Sequence, residues 1–133
     1  MPAGYSGKAL VDKLGVPAGQ RIVVLNPPPG YSKTLGRLPP GSTVTDRLYS
    51  GAPFIHLFTA SRKDLEKRLP RLVAALGEGG IIWISWPKKS SGVETDVTED
   101  VLREVALPLG IVDVKVAAVD ETWSGLKFYR RRR

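Results

Sequence analysis

Three short runs in this chain, Arg21-Ile22-Val23-Val24-Leu25, Phe54-Ile55-His56-Leu57-Phe58-Thr59 and Ile81-Ile82-Trp83-Ile84-Ser85-Trp86, are apolar on successive residues rather than on alternate ones. A strand with one face in water alternates; a strand that is apolar throughout must be covered on both faces. Helices have to supply that cover, and the sequence between the runs has their periodicity. From Ser61 to Gly77 the residues Leu65, Leu69, Leu72, Val73 and Leu76 fall on one face, Ser61 and Asp64 stand at capping-box spacing, and Gly77 is the expected stop. Pro70 should kink this helix or divide it in two. Asp96 and Glu99 form a second capping pair ahead of Val101, Leu102, Val105, Ala106 and Leu109.

The weaker elements fill in the order. Leu10, Val11 and Leu14 recur at helical spacing after Ser6 as the expected N-cap, with Gly15 as the stop. Tyr31 to Leu38 predicts a turn or two of helix, ended by Pro39-Pro40-Gly41, and Thr43-Val44-Thr45 a short strand. Lys88 to Thr95 is a polar loop. Ile111 to Ala118 and Leu126 to Tyr129 predict an antiparallel pair, joined by a turn from Asp120 to Gly125. Strands alternating with helices and a closing hairpin predict an α/β fold: a Rossmann-like three-layer α/β/α domain whose sheet is mainly parallel with a C-terminal antiparallel strand.

With 133 residues, 42% hydrophobic and 25% charged, the chain is expected to be one domain over residues 1–129, followed by a basic tail, Arg130 to Arg133. No apolar run approaches the ~20 residues of a membrane span, and Met1-Pro2-Ala3-Gly4-Tyr5-Ser6 has no export pattern, so no membrane partner and a cytoplasmic location are expected. The absence of cysteine excludes disulfides and thiolate chemistry, and the single histidine, His56, cannot anchor a multi-histidine metal site; no metal is expected. Asn26 and Gln20 are the sole side-chain amides, a depletion of thermolabile groups found in proteins of hot-growing organisms. Four of the charges behind the net +7 sit in the terminal arginines, leaving the body mildly basic.

The first apolar strand runs into Asn26-Pro27-Pro28-Pro29-Gly30. In an open parallel sheet the turn after this strand presents bare backbone N–H groups to a ligand, and three successive prolines remove three such donors.

The stretch Leu69 to Pro87, with its helix, Gly79-Gly80 turn and strand, resembles the segment before the last third of class I methyltransferases. With Pro53 to Thr59 before it and the hairpin after it, the chain from Arg21 onward is similar to a shortened member of that architecture. A second resemblance covers Tyr5-Ser6-Gly7, His56-Leu57-Phe58, Trp86-Pro87-Lys88-Lys89, Thr95-Asp96-Val97-Thr98-Glu99, Arg103 to Gly110, Val112 to Val116 and Trp123 to Phe128. These strings resemble a family of small bacterial proteins catalogued as a domain of unknown function, which implies no activity or site.

If the methyltransferase-like strand order holds, the carboxyl edge of the sheet gathers Asn26, Tyr31, Arg62, Trp86, Lys88 and Lys89, and the hairpin turn adds Asp120, Glu121 and Trp123. Two lysines, an arginine and aromatics would suit a flat anionic ligand such as a nucleotide. Each has a plainer role: Lys88 and Lys89 as solvated surface, Trp86 and Trp123 as packing, Asp96 and Thr98 as helix caps, His56 as a hydrogen-bonded core residue, Arg62 as an exposed first-turn side chain. The spacing from Asn26 to Asp46 matches the ~20 residues between a glycine-rich turn and an acidic ribose ligand. The expected function is therefore a non-catalytic module binding a small anionic ligand or a protein partner, with no cofactor. The alternatives are an S-adenosylmethionine-dependent methyltransferase, with Asp46 on the ribose and the Lys88 to Glu99 loop over the acceptor, and a nucleic-acid-associated protein using the basic edge and tail.

Overall fold

The three apolar runs pair side by side in the middle of one sheet. A computed structural model describes residues 9–131; Tyr5, Ser6 and Gly7, and with them the expected Ser6 cap, lie outside the described residues, as do Arg132 and Arg133. The elements are α1 (Leu10–Leu14), β1 (Arg21–Leu25), α2 (Tyr31–Leu35), β2 (Thr43–Thr45), β3 (Ala52–Phe58), α3 (Arg62–Ala75), β4 (Leu76–Pro87), α4 (Glu99–Ala106), β5 (Ile111–Ala118) and β6 (Trp123–Arg130). The six strands lie in the order β2-β1-β3-β4-β6-β5. β1 pairs in parallel with β2 and β3, and β3 with β4; β6 pairs antiparallel with both β4 and β5. Among the described residues no helix is long and apolar enough to cross a membrane.

Each face of the sheet has its own core. On one, Leu65, Leu69 and Leu72 of α3 and Leu102 and Ala106 of α4 cover Val23, Ile55, Leu57, Ile82 and Ile84. On the other, Leu10, Val11 and Leu14 of α1 and Tyr31 and Leu35 of α2 cover Ile22, Val24, Phe54, Phe58 and Trp83. Residues of β1, β3 and β4 thus feed both cores in alternation, which is why their sequences carry no polar face. The Trp83 indole N–H donates to the Leu14 carbonyl at 2.8 Å, tying the last turn of α1 to the centre of the sheet.

The local departures have local causes. Ala9 precedes α1 and no side chain caps it. α2 stops at Leu35 rather than Leu38, because Gly36 turns away at φ 90°. α3 runs on as one helix through Pro70, which stands on its exposed face. Gly77 is not a stop: the chain passes from α3 into β4 without a loop. Gly77 lies in that strand beside the backbone of Gly51, where an added Cβ would stand 2.6 Å from a carbonyl oxygen. α4 is capped by Thr98, whose hydroxyl accepts from the Val101 N–H at 3.2 Å, and not by Asp96.

The basic tail is also partly built into the domain. Arg130 closes β6, and its guanidinium donates to the carbonyls of Val73 at 2.6 Å and Gly77 at 3.4 Å, where α3 ends and β4 begins. The Arg131 N–H donates to the Gly110 carbonyl at 2.7 Å.

Candidate functional site

β1 continues to β2 on one side, while β3 lies on its other side, so the strand order reverses between β1 and β3. The crevice outside their carboxyl ends is the expected ligand position of an open α/β sheet. Asn26 occupies that point. It has a left-handed backbone at φ 56°, the one non-glycine residue with positive φ among the described residues, and asparagine tolerates this because its short side chain bonds locally. Its amide donates to the Phe58 carbonyl at 3.0 Å and so joins the ends of the two strands.

A cavity of about 670 Å³ opens above this junction, lined by Asn26, Thr59, Ser61, Asp64, Arg68, Glu94, Thr95 and Asp96. Its side chains are held from several elements. The Thr59 hydroxyl donates to Asp64 at 2.8 Å, Arg68 pairs with Asp64 at 2.8 Å one helical turn on, and Ser61 caps α3 by accepting from the Asp64 N–H at 3.2 Å. Burial acts to raise the Asp64 pKa, but the Arg68 guanidinium and the Thr59 hydroxyl outweigh it and hold the carboxyl below its ordinary value. Asp96 accepts from the Arg62 N–H at 2.7 Å, so this carboxylate caps the start of α3, 34 positions away in sequence, rather than its own helix. The Thr95 hydroxyl donates to the Ala60 carbonyl at 2.7 Å and pins the loop before α4 across the cleft.

A second cavity of about 390 Å³ shares Asp64 and Arg68 with the first and extends toward β2. Asp46, Lys67 and Arg71 line it, with Leu25, Leu48 and Leu72 as its apolar wall. The cleft is therefore two-lobed: three carboxylates and one guanidinium around the first lobe, and two carboxylates with three cations around the second. The Asp64–Arg68 pair forms the partition.

The expected anion-binding cluster does not assemble. Arg62 lies in the first turn of α3, but its guanidinium turns outward to Glu66 at 3.2 Å and Glu104 at 3.0 Å. Lys88 donates to the Asp120 carbonyl at 2.8 Å, and its own N–H bonds the Thr122 carbonyl, so it fastens the β5–β6 turn to the end of β4. Lys89 and Glu121 are exposed, and none of these four lines the cleft. Trp86 is buried among the α3 and α4 side chains, and Trp123 packs edge-on against Phe58 with ring centres 5.1 Å apart. Tyr31 is also in the core, because α2 turns its first residue inward over β3. Its hydroxyl bonds His56 Nδ1 at 2.8 Å, and His56 Nε2 bonds the Ser85 hydroxyl at 2.7 Å. Of the expected ligand-edge residues the structure leaves Asn26 and Asp46 at the cleft.

Asp64, Arg68, Lys67 and Arg71 were missed as site residues because on the α3 sequence they read as an ordinary polar face; the spacing of Asp64 and Arg68, one turn apart, was the available signal. Replacing Lys88 with alanine should cost about 1 kcal/mol by freeing the hairpin carbonyl, whereas Lys89→Ala should stay within about 0.5 kcal/mol. Thermal or urea denaturation of the two variants checks the difference.

No protein-family model and no curated protein matches the chain. Solved structures do. A protein described as a type 11 methyltransferase from Sulfolobus solfataricus superposes with a TM-score of 0.65 at 12% identity, covering 99% of this chain and 95% of its own. A SAM-dependent methyltransferase from Aquifex aeolicus gives 0.62 at 12% identity, covering 89% and 86%. A TehB-like SAM-dependent methyltransferase from Corynebacterium glutamicum gives 0.55 at 14%, covering 92% and 86%. Likeness at these identities establishes architecture: the chain has the Rossmann-like α/β fold of the methyltransferases, with a mostly parallel six-stranded sheet and helices on both faces.

Proposed function

We propose that this domain binds a small ligand bearing charges of both signs in the two-lobed cleft, without transferring a group from it. The observation that supports this is the charge layout of the cleft at the strand-order reversal. The larger lobe is lined mainly by carboxylates and the smaller mainly by cations, so a purely anionic ligand would meet like charge in the larger lobe. Binding without transfer follows from the donors and acceptors present. His56 is sealed in the core, Asp64 is a weakened base through its bonds to Arg68 and Thr59, and Asp96 is engaged by the α3 backbone.

S-adenosylmethionine is a ligand of this class, since it carries a sulfonium, an ammonium and a carboxylate. Methyl transfer from it is the second reading, favoured by the solved neighbours and by Asp46, which lines the smaller lobe where a ribose hydroxyl would need an acceptor. The carboxylates of the larger lobe fit the sulfonium of that molecule and Asp46 fits its ribose. The Pro27-Pro28-Pro29 turn does not fit its amino-acid end, because three backbone donors are missing.

Calorimetry with S-adenosylmethionine and S-adenosylhomocysteine tests both readings. The expected result is weak binding, with a dissociation constant above ~1 mM, and a preference for the sulfonium form that Glu94→Gln reduces. Equal affinity for the two would overturn the charge argument, and failure of both to bind would remove this ligand class. Methyl transfer to any acceptor would establish the second reading over the first.

A further inference from the structure

At the amino end of β4, away from the cleft, β5 and β6 carry cations that pair with no carboxylate among the described residues. Lys115 and Lys127 are direct cross-strand partners, so their side chains share one face of the sheet. Tyr129, two residues beyond Lys127, and its partner Val112 lie on that face as well. The Lys127 ammonium stands 5.1 Å from the centre of the Tyr129 ring. All six ion pairs among the described residues belong to Arg62, Arg68 and Arg103. Arg130 donates to carbonyl oxygens at the end of α3 and pairs with no carboxylate among the described residues. Beside them opens a cavity of about 790 Å³ whose walls include Tyr129, Arg130, Arg131, Val112 and Val114, with Glu78 as its one acidic side chain.

Two lysines placed directly opposite each other repel, a cost that a bound anion relieves. A half-exposed aromatic ring with a lysine against it and an exposed arginine two residues on is an arrangement that can hold a base by stacking and the adjoining phosphates by charge. A duplex keeps its bases stacked on one another and offers no face to such a ring. We propose that this face of β5 and β6 binds single-stranded nucleic acid, with one base on Tyr129 and the phosphate backbone passing Lys115, Lys127 and Arg131.

Fluorescence anisotropy with a labelled thymidine oligonucleotide of about twelve residues, between about 50 and 200 mM salt, tests this. Binding should weaken steeply with salt, and the double variant Lys127→Ala/Arg131→Ala should lower the slope of log K against log salt by about 1.4, or about 0.7 for each phosphate no longer neutralised. Tyr129→Ala should weaken binding by about fivefold or more while Tyr129→Phe keeps it, since the ring and not the hydroxyl stacks. Lys89→Ala, at the other end of the sheet, should leave the affinity unchanged. Any of three results would overturn the proposal: no binding at low salt, duplex bound as well as single strand, or equal losses in Tyr129→Ala and Tyr129→Phe. Melting curves by circular dichroism keep a folding defect from being counted as a loss of binding.

Discussion

Stability should fall as pH drops below about 6.5, at a rate approaching 1.4 kcal/mol per pH unit, and His56→Ala should abolish most of that slope. His56 is fully buried between the Tyr31 and Ser85 hydroxyls and stacks on Phe58 with ring centres 4.2 Å apart. Burial alone pushes its pKa down from 6.5 to about 3. Between those values the unfolded chain takes up a proton that the folded chain refuses, so acid favours unfolding throughout the window; above it the imidazole is neutral in both states and the full stability is present. Asp64, whose folded pKa is depressed, adds a loss of the same sign at still lower pH. At neutral pH His56→Ala should cost about 3 kcal/mol, from the cavity and from two hydroxyls left without their partner. The variant and parent curves should therefore converge as the solution is acidified. Urea denaturation at a series of pH values measures both, and a parent stability that stays flat from neutral pH to pH ~5 would show that the ring is not held neutral.

Trp83→Ala should be the most destabilising single truncation, at about 4 to 5 kcal/mol, roughly a quarter or more of the stability of an ordinary domain. The side chain is fully buried at the centre of β4, and its ring lies against the backbone of Gly125 on β6, where an added Cβ would stand 3.1 Å from it. It also carries the bond to Leu14. Trp83→Phe separates these contributions: most of the packing stays, the Leu14 carbonyl loses its donor, and the expected cost falls to about 1 to 3 kcal/mol. Denaturation followed by circular dichroism ranks the two variants, and equal costs would mean that the hydrogen bond rather than the packing anchors α1.

The position of Asn26 after β1 was legible in the sequence; its role as a strap to Phe58 was not. The order of elements was written locally. Unbroken apolar runs mark strands covered on both faces, and Ser61 with Asp64 marks the start of α3, because periodicity and caps depend on neighbours within a few residues. The sequence by itself therefore determined the α/β class, the mainly parallel sheet and its antiparallel close. The site depended on partners far apart in the chain. Lys88 reads as an anion ligand in the sequence, but its ammonium is taken by the Asp120 backbone carbonyl; Tyr31 reads as an edge residue, but its hydroxyl bonds His56; and Asp96 reads as the cap of α4, but it caps α3. A charge or hydroxyl is available to a ligand only if no protein group satisfies it first. Only the tertiary structure decides that, because it alone sets which groups from distant elements stand within hydrogen-bond reach.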